Sequence, residues 1–68
     1  MAEPRLQNRL KDIRSARDLT QADLALMVGV SRKTINTVEN GVFVPSTILA
    51  LALARALKVT VEDIFFLD

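Results

Sequence analysis

Apolar residues recur along this chain at helical spacings of three and four, and the rows are broken by residues that start or stop helices. Leu6, Leu10 and Ile13 make the first row, which predicts a helix beginning near Arg5. Arg9, Lys11, Arg14 and Arg17 stud its other faces, and for Arg9 and Lys11 a solvated position is expected. Arg14 follows Ile13 and is expected at the edge of the buried stripe. Met1 to Pro4 precede the helix and are expected to be loosely extended or disordered, because proline disfavours helix before it.

The sharpest pattern spans Thr20 to Gly41, TQADLALMVGVSRKTINTVENG. The Thr20 hydroxyl can accept a free amide of an opening turn, and Asp23 stands where a capping box places its carboxylate. Ala22, Leu24, Ala25 and Val28 then form an apolar face, which Gly29 ends. Val30 is the apolar residue of the turn, and Ser31 caps a further helix that buries Ile35 and Val38. Arg32, Lys33, Asn36 and Thr37 lie on its other side, and Gly41 after Asn40 stops it. Two short helices with donors gathered at the N-terminus of the second read as a helix-turn-helix, whose second helix the DNA major groove admits.

Val42-Phe43-Val44-Pro45 is too short to separate domains, and Phe43 is expected to pack over the core edge rather than intercalate into DNA. Ser46 then caps a fourth helix, Thr47 to Leu57. Ile48, Leu49, Leu51, Ala52, Leu53, Ala56 and Leu57 make it apolar almost all round, which predicts a central, buried helix. Thr60 caps a last short helix with Glu62 and Asp63 in its first turn and Val61, Ile64 and Phe65 for the core. Phe66 and Leu67 are left over, and this pair is expected to pack on a second copy of the chain. The elements add up to an all-α, five-helix fold, to which a short extended C-terminal segment at a dimer interface can be added.

Sixty-eight residues provide one small core, and a single domain over 1–68 is expected, with the motif at 20–41 and a C-terminal dimerisation segment at about 60–68. No cysteine is present for disulfides or thiolate metal sites, and no histidine for the usual metal ligand or general base. No metal, cofactor or small-molecule ligand is therefore expected. The N-terminus lacks the apolar region of a signal peptide, and the stretch from Ile48 to Leu57 is too short to span a bilayer. A cytoplasmic, nucleoid-associated protein is expected. The net charge of +1 is too small to point to nucleic acid by itself; residues 1–41 hold seven Lys/Arg against five Asp/Glu, and residues 42–68 two against three.

The T-Q pair at Thr20-Gln21, the glycine turn, the Ser-Arg-Lys-Thr-Ile run, the E-N-G ending and Pro45-Ser46 occur together and in order. With them the chain resembles the Cro/XRE family of transcriptional regulators, the lambda-repressor-like DNA-binding domains, from Leu10 to Phe65. The resemblance implies a compact five-helix domain that binds double-stranded DNA with the helix 31–40 in the major groove. It implies an Arg14–Glu39 ion pair tying the first helix to the recognition helix. It also implies that Gln21 contacts a phosphate and braces the first recognition residue, and that Arg32 and Lys33 reach base edges. Arg32 can donate twice to a guanine, a contact worth about 1–3 kcal/mol of discrimination.

Thr34 is small and close to the backbone, and Thr37 can meet a thymine methyl or donate its hydroxyl proton. Asn36 belongs to the same exposed side, although its family counterpart is not always a base reader. Ser31 at the helix start, and Asn40 with the amides around Gly41 at its end, complete the expected DNA-facing set. The family commonly has a basic residue where Val42 stands, so one phosphate contact is missing. One recognition helix reads too few base pairs to single out an operator among ~10⁶ competing sites, so a homodimeric repressor on a palindromic operator is expected. The competing expectation is an antitoxin or accessory interaction module acting mainly through a protein partner. Glu62 and Asp63 are explained by the helix dipole and have no Ser-His, Cys-His or phosphate-loop partner, so no enzyme is expected.

Overall fold

A computed structural model describes residues 4–68. Five helices and a two-stranded ribbon follow one another as β1 (Leu6–Asn8), α1 (Leu10–Ala16), α2 (Gln21–Val28), α3 (Arg32–Glu39), α4 (Thr47–Leu57), α5 (Val61–Ile64) and β2 (Phe65–Leu67). Four helix starts are set by the predicted caps. The hydroxyls of Thr20, Ser31, Ser46 and Thr60 accept the amides of Asp23, Thr34, Leu49 and Asp63. At Thr20 and Thr60 the aspartate three residues on accepts the cap's own N–H at 2.9 Å, completing a capping box. Gly29 and Gly41 take the left-handed conformation that ends α2 and α3.

One core joins the elements. Leu10 from α1, Leu24 and Ala25 from α2, Ile35 and Val38 from α3, Leu53, Ala54 and Leu57 from α4, and Ile64 and Phe65 at the chain end are all buried. Ala22, expected on the buried face of α2, is exposed, as is Phe43, which lies outside the core cluster.

The start of the chain departs from the sequence expectation. Leu6 is not in a helix: Leu6–Asn8 pairs antiparallel with Phe65–Leu67, with Leu6 opposite Leu67 and Asn8 opposite Phe65. The Asn8 side chain then accepts the Leu10 amide at 3.1 Å and donates to the Val38 carbonyl at 2.9 Å, so α1 begins only at Leu10. The expected looseness of Met1 to Pro4 falls, for its first three residues, outside those described. The chain's end likewise pairs with its own start rather than waiting unpaired. Strand alternation splits Phe66 from Leu67. Phe66 lies half-buried with the Arg9 guanidinium 4.1 Å from its ring centroid, so Arg9 is not merely a solvated residue. Leu67 points to the opposite ribbon face and stays exposed.

The fourth helix has the predicted bounds but is not buried all round. Leu53, Ala54 and Leu57 face the core, while Ile48 is 82% and Leu51 57% exposed. A 68-residue chain has too few other elements to cover both sides of this helix.

Two left-handed helix ends carry a side chain, Asp18 and Lys58. Lys58 donates its N–H to the Arg55 carbonyl while Val59 donates to Ala54, the pattern that glycine usually closes. Lys58→Gly is expected to raise stability by about 0.5–1 kcal/mol, since relief of the left-handed strain exceeds the added unfolded-state entropy. Urea unfolding at fixed protein concentration checks this.

Hydrogen bonds from Thr20 and Thr60, their backbone N–H groups foremost, hold the Asp23 and Asp63 carboxyls below the usual carboxylate range. The folded chain therefore binds these protons less tightly than the unfolded chain. Their contribution is present above the unfolded aspartate value of about 3.9 and is lost as pH falls through the lower folded values. Without a histidine to titrate, Tm is expected to stay flat from about pH 8 to 5 and to drop below about pH 4. An Asp23→Asn/Asp63→Asn variant should show a shallower acid limb in the same thermal scans.

Candidate nucleic-acid interface

The second and third helices form the predicted pair, joined by Gly29-Val30-Ser31. Burial of Ile35 and Val38 fixes which side of α3 faces outward. Arg32, Lys33 and Asn36 are exposed on that side, Thr34 and Thr37 are half-buried at its edges, and Ser31 and Asn40 are exposed at its ends. Lys33 makes no hydrogen bond or ion pair among the described residues, which leaves its ammonium free for an outside partner.

The face is braced from below by a charged pair. Arg14 Nε donates to Glu39 Oε2 at 2.6 Å and an Arg14 terminal nitrogen to Oε1 at 3.2 Å, with a further bond at 2.7 Å to the Leu19 carbonyl. The side chains are only 11% and 2% exposed. The hydrogen bond to Glu39 raises the Arg14 pKa against the opposing effect of burial, so the arginine stays charged at every ordinary pH. The pair links α1 to the C-terminal end of α3.

Gln21 carries the bracing outward. Its amide nitrogen donates to Glu39 Oε1 at 3.0 Å and to Asn36 Oδ1 at 3.2 Å. Its oxygen is thereby turned toward Arg32, whose Nη1 approaches it at 3.4 Å. Asn40 adds a bond to Asn36 Oδ1 at 3.3 Å, so Asn36 is tied into the surface network rather than standing free in solvent. Gln21, Arg32, Asn36, Glu39, Asn40 and Arg14 are thus brought into one chain of contacts. An open groove of about 490 Å³ lies beside it, lined among others by Arg14, Thr20, Gln21 and Arg32.

Other donors expected on this surface are already occupied. Ser31 accepts the Thr34 amide at 3.1 Å and its hydroxyl meets that of Thr34 at 3.0 Å. The Thr37 hydroxyl donates to the Thr34 carbonyl at 2.9 Å, which leaves its methyl group for an outside contact. Amides at the end of α3 are spent as well: Gly41 donates to Val38, and Val42 and Phe43 both donate to Thr37. The expectation that the amides around Gly41 serve a phosphate is corrected by this helix cap.

Sequence reasoning missed Asn8. It holds β1 against the last turn of α3 through the Val38 carbonyl, and so helps set how the recognition helix ends. An asparagine two residues before the first core leucine is a cap signal, but one that competes with the four-residue spacing of Leu6 and Leu10.

An exposed, donor-bearing α3 set on a capped α2 by a rigid turn defines a helix-turn-helix protein. The comparisons agree: a helix-turn-helix family profile matches residues 10–64, and the chain belongs to the Cro/XRE family of helix-turn-helix transcriptional regulators. It is 44% identical over 63 residues to an uncharacterised HTH-type transcriptional regulator of Methanocaldococcus jannaschii, covering 93% of this chain and 96% of that protein. It is 36% identical to the uncharacterised HTH-type regulator YgzD of Bacillus subtilis, with the same coverage. Among solved structures it resembles the restriction-modification controller protein C.AhdI from Aeromonas hydrophila, with a TM-score of 0.77, 34% identity, and 81% and 83% of the two chains covered. It is a DNA-binding transcriptional regulator and not an enzyme. No helix among the described residues is long and apolar enough to cross a membrane.

Proposed function

We propose that this protein is a repressor that binds a palindromic operator as a homodimer, with residues 31–40 in the major groove. The observation that carries this reading is Arg32, exposed at the N-terminus of α3 and aimed by Gln21. Arg32 and Lys33 read base edges in this arrangement, and the Thr37 methyl meets a thymine. Asn40 contacts a phosphate through its side chain and Gln21 through its backbone N–H at the start of α2, while the Gln21 side chain, its two amide protons given to Glu39 and Asn36, braces Arg32. Thr34 and Ser31 hold the helix start close to the backbone, and Asn36 keeps Gln21 and Asn40 in place. With no basic residue at Val42 and a net charge of +1, affinity depends on few phosphate contacts. Repression by occlusion follows from a small domain whose reading surface is fully engaged with DNA.

Fluorescence anisotropy with DNA from upstream of the protein's own gene, against scrambled DNA, tests the reading across a salt series. The expected result is preference for the upstream DNA, with log K falling linearly against log salt. Equal affinity for both DNAs with a flat salt response would overturn it and favour a module whose main partner is a protein.

A further inference from the structure

The start of α4, the start of α5 and the ribbon enclose an apolar cleft of about 320 Å³, lined by Leu6, Pro45, Leu51, Val61 and Phe65 with Thr47 and Ala50. Further exposed apolar side chains lie around it, with Arg55 beside Ile48 and Leu51 and Arg5 beside Leu6 and Val44 at the margins. Ile48 adjoins it through Leu51, Val44 through Leu6, and Leu67 sits directly opposite Leu6 on the same ribbon face. Val44 is 67%, Leu67 62% and Leu6 37% exposed, beside the open Ile48 and Leu51. We propose that this cleft is the contact surface of a two-fold dimer and that a second copy of this chain covers it. The proposal rests on the homodimer reading above and gives that homodimer its surface.

The chemistry selects a second copy over other occupants. A small polar ligand needs convergent polar groups to orient it, and Thr47 is the one polar side chain in the lining. A charged peptide finds no opposite charge there. A two-fold contact brings a patch against itself, so groups near the axis meet their own kind, and an uncharged centre is what such a contact requires. The area also fits. At roughly 120 Å² per fully exposed large apolar side chain, Leu6, Val44, Ile48, Leu51 and Leu67 offer about 350–400 Å². That approaches the apolar share of the ~800 Å² that each partner buries in a standard interface. Arg32 and Lys33 line no part of this cleft, so one molecule can hold its copy and DNA together.

Of the two residues expected at a dimer contact, Leu67 belongs to this surface, while the face of Phe66 is taken by Arg9. The interface is therefore built mainly by α4 and the Leu6–Leu67 face of the ribbon.

Leu51→Glu and Ile48→Glu test the proposal, with Leu26→Glu as an exposed control on α2. Each is read by sedimentation equilibrium, far-UV circular dichroism, and anisotropy on a palindromic duplex and on a single half-site. Wild type and Leu26→Glu are expected to be dimers at micromolar concentration. Leu51→Glu and Ile48→Glu are expected to be folded monomers. They should lose about a hundredfold in affinity for the palindrome and less than about twofold for the half-site, because only the linkage between two reading heads is removed. Dimers that survive both cleft substitutions, or a wild type that is monomeric both free and on DNA, would overturn the proposal. A wild-type dimer that dissociates on Leu51→Glu yet shows no DNA preference would uphold this surface and sink the operator reading instead.

Discussion

Replacing Glu39 with alanine is expected to lower stability by about 3–5 kcal/mol and Tm by on the order of 20 °C. The reason is what stays behind. Arg14 keeps its charge, is 11% exposed, and retains only the Leu19 carbonyl as partner. Coulomb attraction and two hydrogen bonds now offset the cost of burying that guanidinium; alanine removes all three and leaves the cost. A loss of this size is a large part of the 5–15 kcal/mol typical of a domain, so partial unfolding at 37 °C is expected. The pair itself is not the source of the stability. Arg14→Met/Glu39→Leu, which removes both charges and keeps apolar volume, is expected to recover most of the loss. Thermal scans at one fixed protein concentration, needed because dimerisation shifts Tm, decide between these outcomes. If Glu39→Ala melted within a degree or two of wild type, the pair would have to be solvated in solution.

The second large effect concerns recognition. Arg32→Ala is expected to cost about 1–3 kcal/mol at each half-site, and about twice that on a palindrome read by two copies. The loss should fall on specific DNA, with the discrimination relaxed at one base pair per half-site and the fold unchanged, because Arg32 is exposed and caps nothing. A weaker version of the same phenotype is expected for Gln21→Ala. It frees Arg32 from its 3.4 Å contact without deleting the donors. Competition anisotropy against single-base operator variants separates the two. Equal losses on operator and scrambled DNA would make Arg32 a phosphate contact rather than a reader.

Much of this protein is settled by short-range chemistry. Thr20, Ser31, Ser46 and Thr60 each accept an amide three residues ahead, so four helix starts stand where the residues place them. Gly29 and Gly41 end two of those helices by the same local logic. The apolar pairs Leu24-Ala25 and Ile35-Val38 decide which side of each motif helix is buried, and that alone turns Arg32, Lys33 and Asn36 outward.

Contacts between distant residues had no such local signal. Leu6 and Leu10 are four apart and fit a helix, yet Leu6 pairs with Leu67 at the far end of the chain, and that pairing, with Asn8 accepting the Leu10 amide, makes the helix start only at Leu10. The same pairing docks the C-terminal end and, by strand alternation, sends Phe66 under Arg9 and leaves Leu67 open. Composition made α4 apolar on every side, but which side is covered depends on how many neighbours reach it, and a chain this short supplies too few. By itself the sequence determined four of the five helix starts, the order of the helices and which side chains of α3 face outward, because caps and periodicity act within a turn or two. The tertiary structure alone decided the ribbon, the Gln21 bridge from Glu39 to Arg32, and the uncovered cleft, because each depends on groups that only the completed packing brings together.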